Sequence, residues 1–300
     1  MEPIRSFAEL KEVARKQGPV AVAVAGGESS SAIATAYLAE RENLARAILV
    51  GDAKRIRAAL ATSEHAPRKS EIHATQADPA AEAIRICLTG KAQFVMKGAV
   101  KSDQLLHAVL RTEEDDIKRQ GYFLSHIAII ENPRGDRLLA VTDGGMNVAP
   151  DLDAKVRIMD NAIRAMQRLG IRQPRVLLAA GMEDTGQDIP AIVDAREIVR
   201  RHRAGEWEDA VIDGPFGVDI GLDAEAAKAK GIDTPIAGCA NIIVTPNLES
   251  CNIAVKMVLY YTDTFMLGVV VGGAVPIVLV SRAAPPQANL HSVALAKLLA

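Results

Sequence analysis

Short apolar runs that stop at Gly, Pro or polar residues recur along the whole sequence, and they limit what it can fold into more than any other feature. They extend from Val20 to Ala25, Ile48 to Val50, Phe94 to Met96, Ile127 to Ile130, Leu138 to Val141, Val176 to Ala180, Ala210 to Ile212, Ile242 to Val244, Gly268 to Val271 and Pro276 to Val280. Segments of helical period lie between many of them, from Ala32 to Glu42, Asp103 to Arg111, Lys155 to Leu169, Ala191 to Arg203 and Ala224 to Lys230. Strands alternating with helices imply mainly parallel sheets covered on both faces, a doubly wound α/β fold. One pair breaks the pattern. Only Glu131 to Arg137 joins the runs ending at Ile130 and starting at Leu138, too short for a crossover helix, so these strands should be antiparallel. Such an interruption at mid-chain suits a domain junction, expected near Met146 to Pro150.

Composition narrows the class further. The 300 residues suffice for two medium domains, and with 49% hydrophobic but only 3% aromatic side chains the core must be aliphatic. A net charge of -2 from 35 basic and 37 acidic groups leaves no global field for nucleic acid. Cys87, Cys239 and Cys251 form no CxxC pair, so neither a disulfide framework nor a zinc knuckle is expected, and a reducing cytoplasm fits. The start is charged at once, and Phe7, Leu10 and Val13 or Ala14 follow at helical spacing, which predicts an amphipathic helix rather than a signal peptide. The uncharged stretch from Phe265 to Val280 is shorter than the roughly 20 residues of a membrane helix. It is broken by Gly268, Gly272, Gly273 and Pro276, and reads as two buried strands and a turn.

In open α/β sheets ligands bind where strand carboxyl ends meet the next turn, because helix N-termini present free N–H groups there. The turns to inspect are Gly26-Gly27-Glu28-Ser29-Ser30, Lys97-Gly98, Thr142-Asp143-Gly144-Gly145, Asp213-Gly214-Pro215, Thr245-Pro246-Asn247 and Ser281-Arg282. Ser281-Arg282 joins a hydroxyl to a guanidinium fork ahead of a helix opening at Pro285-Pro286, which outlines an anion site. A capping serine beside a solvated arginine is the competing reading. No GxGxxG follows the first strand, which argues against a pyridine-nucleotide dehydrogenase.

Taken in order, Met96-Lys97-Gly98, Ser102, Leu124-Ser125-His126, Thr142-Asp143, Asn147 and Pro150-Asp151-Leu152 resemble the phosphate acetyl/butyryltransferase family, its butyryl branch above all. Asp213-Gly214-Pro215 with Asp219, Pro235-Ile236-Ala237-Gly238 with Asn241, Pro246 with Glu249, Asn252 and Lys256, and Pro276-Ile277 with Ser281-Arg282 continue the resemblance across roughly residues 15 to 298. The resemblance implies two doubly wound α/β domains with a cleft between them, as in isocitrate and isopropylmalate dehydrogenases. The first domain is expected from 1–143 plus 274–300 and the second from 144–273. The implied reaction is reversible transfer of a short acyl group, acetyl to butyryl, between coenzyme A and inorganic phosphate. Its partners are acyl-CoA, phosphate and acyl phosphate, with coenzyme A as a substrate, no metal or other cofactor, no membrane, and at least a homodimer.

The same resemblance makes Ser281 and Arg282 the phosphate-binding pair, and Lys97, Ser102, Ser125, Asp213, Pro215 and Asn252 substrate-binding. Free coenzyme A thiol is mostly protonated at neutral pH, so the reaction needs a base or a field favouring thiolate. His126 and Asp143 are the candidates, set against a core-edge histidine bonded to a carbonyl and a turn or cap aspartate. His291 is a further candidate that could simply face solvent. The sequence departs from the family where acetyl-specific relatives carry a substrate-binding Arg, here His107, and where an acid follows the serine, here Ala288. The acid that the butyryl branch often has soon after Ser-Arg is replaced by Ala283-Ala284. These losses make an alternative role serious: an acyl-phosphate-forming subunit of a reductase complex, or a non-catalytic CoA- or acyl-phosphate-binding regulatory protein. Glu249, Asn252 and Lys256 share a helical face that lines either the cleft or the interface between subunits, Asn247 reads as a helix cap, and Arg200 to Arg203 as a solvated helix end, with anion binding as the lesser alternative. Cys239 and Cys251 lack a His partner at motif spacing.

Overall fold

The computed structural model describes residues 2–112, 121–132, 137–183, 186–279 and 286–300. It separates into two compact units, one of Phe7–Leu124 with Leu267–Ala300 and one of Met1–Ser6 with Ser125–Met266. Both are α/β.

The first unit contains α1 (Phe7–Lys16), β1 (Val20–Ala25), α2 (Ser30–Arg41), β2 (Ala45–Gly51), α3 (Ala53–Thr62), β3 (Glu71–Ala74), α4 (Pro79–Leu88), β4 (Phe94–Lys97) and α5 (Ser102–Thr112). After the excursion into the other unit it resumes with β10 (Met266–Val271), β11 (Ile277–Val278) and α11 (Pro286–Leu299). Its strands lie in the order β3-β2-β1-β4-β11-β10. All neighbours are parallel except β10 and β11, where Val269 faces Val278. The uncharged stretch from Phe265 is thus two strands and a turn, as its glycines predict. Fully buried Ile33, Leu49, Ile84, Phe94 and Met96 form an aliphatic core with a single aromatic among them. The C-terminal helix returns to the first one through Lys297, whose Nζ donates to Ala14 O at 2.6 Å and to Gly18 O.

The second unit contains β5 (Ser125–Glu131), β6 (Leu138–Thr142), α6 (Leu152–Arg168), β7 (Arg175–Ala179), α7 (Pro190–Arg203), β8 (Val211–Phe216), α8 (Val218–Leu222), α9 (Ala224–Ala229), β9 (Ile242–Val244) and α10 (Leu248–Tyr261). The strand order is β5-β6-β9-β7-β8. The β5–β6 pair is antiparallel, with Ile127 facing Thr142, and the other pairs are parallel.

The units divide at 124/125 and 266/267, whereas the sequence reading puts the hairpin with the first domain and the boundaries at 143/144 and 273/274. The hairpin's own packing explains the difference. Ala140 pairs with Ile242, and Ala128, Ile130, Leu139 and Val141 share one core with Leu177, Ile243, Cys251 and Val255. A second difference concerns Asp213-Gly214-Pro215. It is not a turn after the strand but lies inside β8, where the register with β7 shifts and Phe216 pairs with Ala179.

Candidate active site

In the second unit, β6, β9, β7 and β8 run parallel, so their carboxyl ends share one edge, and antiparallel β5 starts at that edge. Six of the residues singled out from the sequence lie in the elements meeting there: Ser125, His126, Asp143, Asp213, Pro215 and Asn252.

Asp143 follows directly on β6 and is only 3% exposed. Its Oδ1 accepts from Gly145 N at 2.8 Å and Met146 N at 2.9 Å, and its Oδ2 from Asn147 Nδ2 at 2.7 Å and Asn147 N at 3.3 Å. Four donors on one buried carboxylate make it the organiser of the 143–147 loop, the pattern of an aspartate-led turn. α10 holds the same loop from the other side. Asn252 Nδ2 donates to Gly144 O at 3.1 Å, and Cys251 packs so closely that a Cβ on Gly144 would lie 2.9 Å from its Sγ. Asn247 caps this helix reciprocally with Ser250, as its position predicts.

His126 lies under Gly145: a Cβ there would sit 2.9 Å from the imidazole Cγ. The side chain is buried and Nδ1 has no hydrogen-bond partner, so the carbonyl-bonded core histidine set against the catalytic reading is not what the structure shows at that nitrogen. Burial pushes the His126 pKa down, and the negative charge of Asp143 opposes that shift. The ring is therefore neutral at neutral pH, with Nδ1 unused in hydrogen bonding. Its neighbour Ser125 is fully buried and accepts from Asn161 Nδ2 of α6 at 2.9 Å. Cys251 is also fully buried, and desolvation raises its thiol pKa to about 12, which makes it an inert thiol rather than a nucleophile.

At β8, the Asp213 carboxylate accepts from Thr234 Oγ1 at 2.6 Å and Gly214 N at 3.0 Å, with Arg203 Nη2 at 3.8 Å. Beside it, Arg196, Arg200 and Arg203 of α7 line a cavity of about 380 Å³ together with Gly214, Phe216 and Asp233. Arg200 and Arg201 both pair with Glu197, so this helix end is a solvated charge network as its sequence suggests.

The first unit gathers a second carboxyl edge. Lys97 ends β4, is buried, and donates to Val100 O at 3.3 Å. The turns after β1 and β4 cross at backbone contact: Gly98 N donates to Ala25 O and Ala99 N to Gly26 O, each at 2.8 Å. A Cβ on Gly26 would lie 2.8 Å from Ala99 N, so only glycine fits. Ser102 opens α5 and is exposed, as is His107. Ala288 is buried in α11, and His291 Nδ1 lies 2.7 Å from Gln287 O, which accounts for that histidine locally. Ser281, Arg282, Ala283 and Ala284 lie outside the described residues. Among the described residues, no cluster of His, Cys, Asp or Glu is fit to hold a metal, and no helix is long and apolar enough to cross a membrane.

Sequence reasoning missed the partners of these groups: Asn161 behind Ser125, Thr234 beneath Asp213, and Gly145 over His126. Only the last had a local signal, since Asp-Gly-Gly-x-Asn is the spacing of a carboxylate-organised loop. It also grouped Glu249, Asn252 and Lys256 on one face; Asn252 turns to the loop while Glu249 and Lys256 are exposed.

A family model described as "Phosphate acetyl/butaryl transferase" matches residues 66–297. The phosphate butyryltransferase of Clostridium acetobutylicum is 34% identical over 299 residues, covering 99% of both chains. A branched-chain phosphotransacylase from Enterococcus faecalis superimposes with TM-score 0.80 at 26% identity, covering 93% of this chain and 99% of that one. The fold extends to 4-hydroxythreonine-4-phosphate dehydrogenase from Klebsiella pneumoniae, with TM-score 0.57 at 12% identity over 94% of this chain and 99% of that one.

Proposed function

The chain belongs to the phosphate acetyl/butyryl transferase family, and from this premise we propose how its residues carry the reaction. It is an acyltransferase that moves a short acyl group reversibly between coenzyme A and inorganic phosphate. The observation that carries the reading is the family match across 66–297, which spans Lys97 and Ser102, the second unit's carboxyl edge and the Ser281-Arg282 pair.

Going toward acyl-CoA, the coenzyme A thiol loses its proton and the sulfur attacks the carbonyl carbon of the acyl phosphate. The C=O becomes an oxyanion, and its collapse breaks the C–O bond to phosphate. Arg282 holds the phosphate in its planar fork, and Ser281 donates to phosphate or to the oxyanion. His126 takes the thiol proton: an imidazole kept neutral by burial is already in the accepting form, and the Asp143 charge favours the imidazolium that results. The carboxylate of Asp143 is saturated by four donors, so its role is to shape the loop around His126. Lys97 and Ser102 bind substrate from the first unit's carboxyl edge. Ser125 and Asn252 act by fixing β5 and the loop. Asp213 builds part of the wall of the arginine-lined cavity, and Pro215 sits in β8 between the lining residues Gly214 and Phe216. The carboxyl ends of β6 and β8 stand three strand spacings apart, roughly 14 Å. We assign an extended pantetheine arm to that span and the phosphates of coenzyme A to Arg196 and Arg203, which line the cavity beside the Glu197-paired Arg200.

Coenzyme A is the only organic carrier the reaction needs. Cytoplasmic location is supported by that substrate and by free Cys87, Cys239 and Cys251. A second reading, an acyl-phosphate-forming subunit or a regulatory binding protein, is favoured by Ala284 and the buried Ala288 in place of an acid.

Thiol release from acetyl-, propionyl- and butyryl-CoA, with and without phosphate, separates the two. Phosphate-dependent release that Arg282→Ala lowers about 10²-fold or more in kcat/KM for phosphate supports acyl transfer. A purified protein inert toward all three thioesters supports the second reading.

A further inference from the structure

In the second unit the connections that follow β7 and β9 leave the sheet on opposite faces. Leu177 and Ile243 pack with Cys251 and Val255 of α10. The next residues, Leu178 and Val244, face each other across the strand pair and line a crevice with Ala191, Ala195 and Ile198 of α7. Such a reversal at the carboxyl ends of neighbouring strands is where open α/β sheets bind ligands. Lys155 and Thr245 are the polar side chains of the lining, and both are engaged inside the protein. Lys155, buried, donates to Asp194 Oδ2 at 2.6 Å and so ties α6 to α7 across the crevice. Thr245 Oγ1 donates to the carbonyls of Thr142 and Asn247, at 3.1 Å each.

We propose that this crevice takes the alkyl tail of the acyl group, so that Ala191, Ala195 and Ile198 set which chain length the protein accepts. On the acyltransferase reading, from which this follows, the thioester lies at the β6 end of the pantetheine span. β9 is the strand beside β6, and Thr245 N donates to Thr142 O at 2.9 Å, one residue before Asp143. The crevice thus opens ~4.8 Å, one strand spacing, from the end of β6. A carbon chain hanging from the thioester reaches that far. Chemistry selects the tail as occupant. With the ammonium neutralised by Asp194 and the hydroxyl bonded, the lining lacks the net charge that a phosphate or carboxylate needs to leave water. An alkyl group needs no partner there and gains by leaving water. Size points the same way, because the free space for a water-sized group is about 10 Å³, room for one methyl. Each further methylene has to be accommodated by the α7 side chains, and that is the step by which an apolar pocket sorts homologous substrates.

Kinetics with acetyl-, propionyl- and butyryl-CoA test this through ratios of kcat/KM, which cancel any loss common to all three. Ala191→Leu, at a half-buried position in the first turn of α7, should lower the butyryl-to-acetyl ratio about 10-fold or more. Ile198→Val, one carbon smaller, should raise it. Unchanged ratios in both variants, or an equal loss on all three thioesters, overturn the proposal. Methyl NMR of the wild-type protein gives a readout without turnover, and it stands even if a variant fails to fold. Butyryl-CoA should shift the Ile198 δ1-methyl and Ala195 β-methyl signals away from their positions with free coenzyme A, and signals that do not distinguish the two ligands overturn the proposal. Shifted methyls in a protein that turns over no thioester would instead refute acyl transfer and leave the crevice standing as an acyl-binding site.

Discussion

Replacing Asp143 tests the loop's architecture at the level of single hydrogen bonds. Asp143→Ala removes the acceptor from Gly145 N, Met146 N and Asn147 N at once, while the Asn147 side chain, half-buried, can turn to water. An orphaned backbone donor costs about 1–3 kcal/mol when water cannot replace the lost partner. These three bonds are only partly buried, so we take the lower half of that range, about 1–2 kcal/mol each, and expect a loss of about 3–6 kcal/mol. Asp143→Asn is milder. It keeps one oxygen for the Oδ1 pair and puts an NH₂ where Oδ2 faced two donors. Asn147 can flip its amide and accept from that NH₂, which leaves one donor, Asn147 N, unsatisfied, at a cost of about 1–2 kcal/mol. Urea unfolding of the three proteins, with m-values compared to confirm a common unfolded state, reads these differences directly. Wild type should exceed Asn, and Asn should exceed Ala. An alanine variant within about 0.5 kcal/mol of wild type, the scatter of ordinary surface substitutions, or an asparagine variant no better than alanine, would refute the four-donor account.

Other outcomes follow from the same edge. The folded-state pKa of His126 lies below the unfolded value of about 6.5, so its contribution to stability is full above that pH and is lost as pH falls from there through the folded pKa. The stability gap between wild type and His126→Gln should therefore shrink on acidification, and a gap independent of pH between 7 and 5 would contradict burial of the neutral ring. If His126 is the base, His126→Gln should lose about 10²–10⁴-fold in kcat toward acyl-CoA formation, and its wild-type pH–rate profile should be flat near neutrality. In native protein a disulfide thiol reagent should modify Cys239 alone, since Cys87 and Cys251 are buried and the Cys251 pKa is raised to about 12; prompt labelling of Cys251 would show the α10–loop contact to be open.

Much of this was legible in the sequence, for reasons that particular residues show. Uninterrupted aliphatic runs such as Val20–Ala25 and Ile242–Val244 can only be strands buried on both faces, and both form where the runs predict. β3 is polar and sits at the sheet edge beside β2 alone, so Glu71–Ala74 carries no apolar run to betray it. Which compact unit the hairpin joins is not written in its own residues, because local sequence reveals that two strands pair but not which core they share. Chemistry was less legible than fold. The turn sequence marks Asp143, yet only the fold spends its carboxylate on four donors and brings a neutral histidine beneath Gly145. Long-range partners such as Asn161 and Thr234 leave no trace at the positions they satisfy.

The central claim is that phosphate, not water, takes the acyl group from coenzyme A. Following ³¹P NMR of the wild-type protein with butyryl-CoA and inorganic phosphate tests it most directly. The account predicts an acyl phosphate resonance growing in step with free thiol, the same equilibrium reached from acyl phosphate and coenzyme A, and neither signal with Arg282→Ala. Thiol release that yields free carboxylate while the phosphate signal stays constant would contradict it.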